Sequence, residues 1–189
     1  MSDAALEVRS PLEGLALPSG PRFTLMEGPP AARFILRGGE AVRVACGMVF
    51  GAEPPSRLGP AREGDERAAL WLGPDEWLLI APVADVAAVA DVLEQVLEGT
   101  AYSLVDVSHR QIGLIVSGPA AARVINAGCP LDLDLQAFPV GFATRTVFDK
   151  AEIVVWRRAE ATFHVEVWRS FAPYLAASLK EAARGAPEW

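Results

Sequence analysis

The feature that most constrains the fold is the stretch of residues 144–174, in which two strand-like segments run directly into an amphipathic helix. The first segment, residues 151–157, contains four consecutive apolar residues, a pattern typical of a strand buried on both faces. The second, residues 162–169, alternates between apolar and polar side chains, so we expect one face in the core and the other only partly covered. The partly covered face carries His164, Glu166 and Trp168.

The second strand leads into the last predicted helix. Ser170 stands at its N-cap position, where the hydroxyl can accept a hydrogen bond from a free N–H group of the first turn. Apolar residues then recur at helical spacing up to Gly185, where we expect the helix to end. This stretch therefore predicts a buried sheet with a helix docked on it.

The composition argues against two classes of partner. The formal net charge is -7 and the sequence pI is near 4.9, so the phosphates of a nucleic acid would repel the chain. Hydrophobic residues make up 51%, yet the longest apolar runs fall well short of the roughly 20 residues that a membrane helix needs. We expect neither nucleic acid nor a membrane as a partner.

The cysteines and the first residues bear on localisation. Cys46 and Cys129 lie far apart in unlike contexts, and residues 1–4 have neither the basic nor the apolar segment of a secretion signal. Both features predict a reducing, cytoplasmic setting.

The rest of the chain alternates between strand pairs and helices. Residues 1–30 are rich in proline and glycine and are predicted to form an irregular N-terminal arm, whereas residues 31–189 form a single domain. Strand pairs are predicted at residues 33–37 with 42–46, 70–72 with 77–80, and 102–107 with 111–116. Helices are predicted over residues 85–98 and after Pro119, and irregular connections over residues 51–66 and 129–141.

This order of elements predicts the fold class. Adjacent strand pairs followed by helices favour an α+β fold of mainly antiparallel sheets with helices packed on them, rather than a doubly wound parallel sheet. The elements fit two sheet-plus-helix halves that divide near residue 100.

Three neighbouring residues have the side-chain types of a hydrolytic triad. Asp106, Ser108 and His109 are close in sequence, but a working triad needs a nucleophile, a base and an orienting group at fixed mutual geometry. Near neighbours on one strand rarely achieve that, and no Gly-x-Ser-x-Gly turn is present. We expect His109 to be a turn or partner-contact residue, and the alternative is a hydrolase that uses His109.

Cofactor and metal sites are not predicted either. Asp132 and Asp134 lack the glycine and distal glutamate of a calcium loop, and His109 and His164 share no helical spacing with each other or with a cysteine. Neither a Gly-x-Gly-x-x-Gly turn nor a phosphate-binding lysine loop occurs. We therefore assign no catalytic, cofactor-binding or metal-binding residue to this chain.

Tryptophan and arginine are the clearest candidates for contacts with other proteins. These two residue types dominate the buried anchor points of protein interfaces, and several lie together on predicted strands. The residues that we expect to contact a partner are Trp77, Asp106, His109, Arg110, Arg145, Trp168 and Arg169.

Four motifs, in this order and spacing, carry a family resemblance. Residues 71–79 (WLGPDEWLL), 105–110 (VDVSHR), 128–133 (GCPLDL) and 163–171 (FHVEVWRSF) resemble the gamma subunit of heterotetrameric sarcosine oxidase, and the likeness extends over about residues 5–184. That family is in turn similar to the folate-binding aminomethyltransferase of the glycine cleavage system, to which residues 106–109 and 117–119 correspond. The resemblance implies an aminomethyltransferase-like, folate-binding-like α+β fold without the full folate site.

The resemblance also implies a function. It indicates an accessory subunit of a flavoprotein complex that oxidatively demethylates sarcosine to glycine and passes a one-carbon unit to tetrahydrofolate. The partners are then the larger alpha, beta and delta subunits, which are expected to hold FAD, FMN, NAD and tetrahydrofolate. The alternative is a stand-alone folate-binding protein or an aminomethyltransferase-like transferase.

Overall fold

The computed structural model describes residues 9–64 and 66–185 of the 189-residue chain. The predictions made for residues 1–8 lie outside this part. Numbered in chain order, the strands are β1 (Thr24–Glu27), β2 (Ala31–Gly38), β3 (Gly59–Pro60), β4 (Arg62–Gly64), β5 (Arg67–Gly73), β6 (Glu76–Pro82), β7 (Tyr102–Asp106), β8 (Gln111–Ser117), β9 (Phe142–Phe148), β10 (Ala151–Ala159) and β11 (Thr162–Trp168). The α-helices are α1 (Glu40–Phe50), α2 (Val86–Leu97), α3 (Ala121–Asn126) and α4 (Ala172–Gly185), and a single 3-10 turn spans Val83–Asp85.

The strands form two antiparallel sheets. The six-stranded sheet has the order β1-β8-β11-β10-β9-β3, and the five-stranded sheet has the order β4-β5-β6-β2-β7. The recorded strand pairings in the described part of the chain are all antiparallel. The predicted α+β class with mainly antiparallel sheets is confirmed.

Three apolar clusters define four layers. One cluster joins α3 and α4 to the six-stranded sheet, and a second joins α1 and α2 to the five-stranded sheet. The third lies between the two sheets, because alternate residues of each strand point to opposite faces. On β10, for example, Ile153 and Val155 face the helices while Val154 and Trp156 face the other sheet. The order of layers is helix, sheet, sheet, helix.

Helix α2 shows why these elements form where they do. Its buried residues Val89, Leu93 and Leu97 recur every four positions and so share one face. Full burial of each such side chain stabilises the fold by roughly 1.5–3 kcal/mol. Helix α2, the β5–β6 hairpin, the β10–β11 hairpin and α3 all lie close to their predicted positions, and α4 begins two residues after the predicted N-cap, Ser170.

One predicted strand is a helix. Residues 42–46 were expected to pair with residues 33–37, but they lie inside α1. Val42, Cys46 and Phe50, which are four residues apart, are buried on one face of this helix. Gly51 then ends it in the left-handed conformation at φ 82°.

The chain does not divide between the two sheets at residue 100, where the two halves were predicted to separate. Strand β7 follows residue 100 yet pairs with β2, while β1 and β3 precede it yet belong to the six-stranded sheet. Within the predicted arm, β1 is a regular strand, and Leu12, Phe23 and Leu25 are buried in the helix-covered core of that sheet. Similarly, the predicted loop at residues 51–66 contains the short strands β3 and β4.

The second face of β11 is more deeply buried than predicted. His164 is 8% exposed and Glu166 is 0% exposed, because the five-stranded sheet packs over this face. Trp168, the last residue of the strand, remains 40% exposed.

Candidate subunit interface

The turn that connects the two sheets holds the first group of predicted contact residues. Asp106 ends β7 in one sheet and Gln111 begins β8 in the other, so residues 107–110 cross between them. The Val107 N–H group donates to the Arg33 carbonyl at 2.8 Å and thereby ties the turn to β2. His109 and Arg110 are consequently held in place but exposed.

The Ser108 hydroxyl is fully engaged in this turn. It donates to the Asp106 carboxylate at 2.6 Å and accepts a hydrogen bond from the Arg33 N–H group at 2.9 Å. The Ser108 N–H group also donates to the same Asp106 oxygen, at 2.8 Å. Within the described residues no hydrogen bond joins His109 to Ser108, and the two hydrogen bonds from Ser108 to Asp106 form a local turn.

An exposed group of aromatic and arginine side chains adjoins this turn. The Arg110 guanidinium lies over the Trp168 ring, 5.1 Å from its centroid, and the Arg169 N–H group donates to the Arg110 carbonyl at 2.8 Å. Phe171 and Tyr174 stack edge to face with centroids 6.4 Å apart, and each is more than one third exposed. We call this surface the aromatic patch; it consists of Arg110, Trp168, Arg169, Phe171 and Tyr174.

The arginines of the aromatic patch have no carboxylate partner in the described part of the chain. Arg110 donates to the Gln111 side chain at 3.3 Å, and Arg169 donates to the Arg9 carbonyl. The charge of both guanidinium groups is therefore not balanced by a carboxylate of the described part, and both lie beside exposed aromatic rings on a chain whose net charge is -7. Such a surface is complementary to an acidic and partly apolar one.

A groove of about 490 Å³ runs beside the patch. Asp106, His109 and Arg169 line it together with residues 28–31, which lead from β1 in one sheet into β2 in the other. Five of the seven predicted contact residues thus lie together: Asp106, His109, Arg110, Trp168 and Arg169.

Trp77 and Arg145 lie elsewhere. The Trp77 side chain is 1% exposed and donates from Nε1 to the Pro55 carbonyl at 2.7 Å, so its prediction as a partner contact is corrected: it is a core residue. Arg145 is half-buried on β9 and pairs with Glu76 on β6, which also binds Arg37 at 2.7 Å. Burial alone would raise the pKa of Glu76, but hydrogen bonds from Arg145 and Arg37 outweigh it and hold that pKa below its usual range. Arg145 thus links the two sheets.

Sequence reasoning missed a buried ionic network between the sheets. Arg33 on β2 donates from Nε to the Glu166 carboxylate at 2.6 Å, and His164 Nε2 lies 2.7 Å from the other carboxylate oxygen. Burial would raise the pKa of Glu166, but hydrogen bonds and charge from His164 and Arg33 hold it below the usual range. The sequence did contain one sign of this network. In β2, Arg33 is a charged residue within an otherwise apolar run that ends at Arg37.

Other candidate chemical groups have structural roles. Asp132 and Asp134 each accept a backbone N–H two residues on, and no group of three His, Cys, Asp or Glu residues in the described part could hold a metal ion. Cys46 and Cys129 are buried and free, and burial raises the pKa of the Cys46 thiol to about 12.

Within residues 9–64 and 66–185, no helix has the length and apolar character to cross a membrane.

Comparison with known proteins gives a consistent picture. The family model for the sarcosine oxidase gamma subunit family matches residues 38–185. The sarcosine oxidase subunit gamma of an Arthrobacter species is 35% identical over 128 residues, which cover 67% of this chain and 62% of that protein. The matched region therefore spans less than two thirds of the length of this curated relative.

Two solved structures are similar in fold. A chain of the heterotetrameric sarcosine oxidase from Corynebacterium sp. U-96, solved in complex with pyrrole 2-carboxylate, matches with a TM-score of 0.86 and 29% identity. The match covers 96% of this chain and 98% of that chain. The glycine cleavage system aminomethyltransferase T from Bartonella henselae matches with a TM-score of 0.63 and 18% identity, over 84% of this chain and 45% of that one. The second likeness is one of fold alone.

Proposed function

Because this chain belongs to the sarcosine oxidase gamma subunit family, we propose that it is the gamma subunit of a heterotetrameric sarcosine oxidase. In this role it is an accessory subunit without catalytic residues of its own. The observation that carries the proposal is the structural match to the Corynebacterium oxidase, which extends over nearly the whole of both chains.

The reaction and its cofactors belong to the partners in this proposal. The complex oxidatively demethylates sarcosine to glycine, and the larger alpha, beta and delta subunits hold FAD, FMN, NAD and tetrahydrofolate. The complex works in the cytoplasm. The local hydrogen bonds that engage Ser108, Asp132 and Asp134 support an accessory role, since each of these side chains already has a partner within the chain.

The aromatic patch and the adjoining turn form the proposed contact surface for a larger subunit. Trp168 and its neighbours supply exposed apolar area, and Arg110 and Arg169 supply charge without a carboxylate partner in the described residues. Asp106 and His109 extend the surface into the adjoining groove. The partner face that fits is acidic at its rim and apolar at its centre.

A pair of assays on the isolated chain tests the accessory role. We expect no turnover of sarcosine and no saturable binding of tetrahydrofolate at micromolar concentrations. Saturable micromolar binding of tetrahydrofolate would favour a stand-alone folate-binding protein or transferase, and oxidation of sarcosine by the chain alone would contradict the proposal. The same preparation added to the larger subunits should join their complex, which is a positive control for its folding.

A further inference from the structure

Strand β7 lies at an edge of the five-stranded sheet, so its backbone has a neighbour on one side only. Among the described strands it pairs with β2 alone. An edge strand presents a row of N–H and C=O groups and can add a further strand from another chain. Val105 is 49% exposed, and Ser103 and Asp106 are exposed as well, so this edge is open.

The register of β7 on β2 determines which of its backbone groups point outward. In an antiparallel pair, opposite residues alternate between exchanging both hydrogen bonds and exchanging none. Because the Val107 N–H group donates to the Arg33 carbonyl at 2.8 Å, the odd-numbered residues of β7 direct their backbone groups toward β2. The even-numbered residues, Tyr102, Leu104 and Asp106, direct their N–H and C=O groups away from the sheet.

The other neighbour of β2 gives the same alternation. The Gly38 N–H group donates to the Asp75 carbonyl, beside β6, at 3.0 Å, while Gly38 is opposite Tyr102 in the pairing with β7. Gly38 thus turns its N–H group away from β7, as the neighbour of an outward-facing residue must. Both hydrogen bonds therefore assign the same outward-facing residues to β7.

The other sheet edges of the described chain carry features that discourage strand addition. Natural proteins protect edges with very short strands, charged side chains and proline. Strand β3 has two residues, one of them Pro60, and β4 has three, of which Arg62 and Glu63 are charged. Strand β1 ends at Glu27 and is followed by prolines at residues 29–30. Strand β7 has five residues without lysine, arginine or proline, and its one charge is on the last residue.

The surroundings of β7 indicate which partner can supply the added strand. Asp106 lines the groove beside the aromatic patch, and residues 107–110 lead from it to Arg110 within that patch. A subunit seated on the aromatic patch is therefore next to this edge as well. Because residues 102–105 carry no charge, a charged side chain opposite them would find no countercharge on β7. The segment that fits is extended and uncharged, with an apolar residue beside Val105.

We propose that β7 adds an extended, uncharged segment of a larger subunit as a sixth strand of this sheet. The inference rests on the proposed function, since the segment belongs to a subunit that contacts the aromatic patch. The outward N–H and C=O groups bind the backbone of the segment, and Val105 contacts one of its apolar side chains. The aromatic patch and the edge of β7 then form one continuous interface.

Residue-resolved hydrogen–deuterium exchange of the unmodified chain, alone and in complex with the larger subunits, tests the proposal. The amides of Ser103 and Val105, which donate to β2, should exchange slowly in both states. Those of Tyr102, Leu104 and Asp106 should exchange rapidly in the isolated chain and at least about tenfold more slowly in the complex. Unchanged exchange of these three amides in a complex that has formed would overturn this inference alone, whereas failure to form any complex would contradict the proposed function too.

Two variants at one position supply a matched comparison. Leu104→Pro removes an outward N–H group, which an edge strand can lose without losing a bond to its neighbour, whereas Leu104→Ala shortens the side chain and keeps that group. The dissociation constant for the larger subunits should rise at least about tenfold more in Leu104→Pro than in Leu104→Ala. Equal dissociation constants for the two variants, both folded by circular dichroism, would overturn the proposal. So would slow exchange at Leu104 in an isolated chain of doubled mass, which would assign the edge to a second copy.

Discussion

At Glu166 a carboxylate with no exposed surface is held by an arginine from the other sheet and a histidine from its own strand. Taking charges out of water costs several kcal/mol per ion, and the attraction within the network offsets this cost only while all partners are present. The network is therefore sensitive to the loss of any one member. The network also fixes the position of one sheet relative to the other, because Arg33 lies in the five-stranded sheet and Glu166 in the six-stranded sheet.

Glu166→Gln should destabilise the chain by about 3–5 kcal/mol, because Arg33 then remains buried without a compensating charge. The matched control is Glu63→Gln, which breaks the half-exposed pair with Arg158 and should cost less than about 1 kcal/mol. Urea unfolding followed by circular dichroism measures both free energies of unfolding. Equal losses in the two variants would mean that the buried network contributes no more than a surface pair.

The lowered pKa of Glu166 predicts how stability depends on pH. In the unfolded chain this carboxyl binds a proton near its ordinary pKa of about 4.3, whereas in the folded chain it stays ionised to lower pH. The unfolded state then binds more protons, so the stabilisation present above about pH 4.3 is lost as the pH falls further. Urea midpoints between pH 6 and pH 3 should fall less steeply for Glu166→Gln than for the unmodified chain, and parallel curves would contradict this assignment.

Trp168→Ala tests the proposed contact surface. The side chain is 40% exposed, so its loss should cost about 1 kcal/mol of folding stability or less, while the dissociation constant for the larger subunits should rise at least about tenfold. Met48→Ala is the control, since Met48 is 70% exposed on α1 and lies outside the aromatic patch. A large loss of stability with an unchanged dissociation constant would identify Trp168 as a core residue.

Side-chain type alone did not separate these tryptophans. Trp77 and Trp168 both lie on strands, and only the packing of α1, α2 and the five-stranded sheet around Trp77 explains why one is buried and the other is not. The two-residue period of β11 correctly placed His164 and Glu166 on one face. It carried no information on the second sheet that covers that face, because the covering residues are distant in sequence.

At the scale of the element, local periodicity predicted most of the strands and helices but failed at α1. Val42 and Val44 flank Arg43 and suggested an alternating strand, whereas the residues that decide the outcome are Val42, Cys46 and Phe50. These three residues have helical spacing and fit against the five-stranded sheet. Val42 and Val44 are β-branched and therefore favour a strand. The burial of Val42, Cys46 and Phe50 on one face favours the helix instead.

Strand β8 carries a prediction that belongs to this scale. A Cβ atom at Gly113 would lie 2.7 Å from His164 Nε2 and 3.1 Å from an Arg33 nitrogen, so Gly113→Ala should displace the buried network and lower the free energy of unfolding by about 1–3 kcal/mol. Gly59→Ala is the control in the same sheet, since its Cβ would meet nothing closer than 4.0 Å and should change stability by less than about 1 kcal/mol. Urea unfolding of both variants checks the difference, and an unaffected Gly113→Ala chain would show that β8 tolerates a side chain there.

At the scale of the whole molecule, the fold class follows from the order of elements, but the partition of strands between sheets does not. Strands β7 and β8 are neighbours in sequence yet lie in different sheets, and the four-residue turn between them gives no local sign of this. An exposed surface lies where β11 and α4 meet the turn of residues 107–110, which connects the two sheets. Contact residues from two separate motifs of the sequence, residues 105–110 and 163–171, meet there.

We propose that this chain functions by assembling with larger subunits. The most direct measurement is the native mass of the complex recovered when the tagged chain is produced together with the alpha, beta and delta subunits of the oxidase. The predicted result is one species that contains one copy of each of the four chains and oxidises sarcosine. Recovery of the tagged chain alone, with the other subunits assembled and fully active without it, would contradict the account.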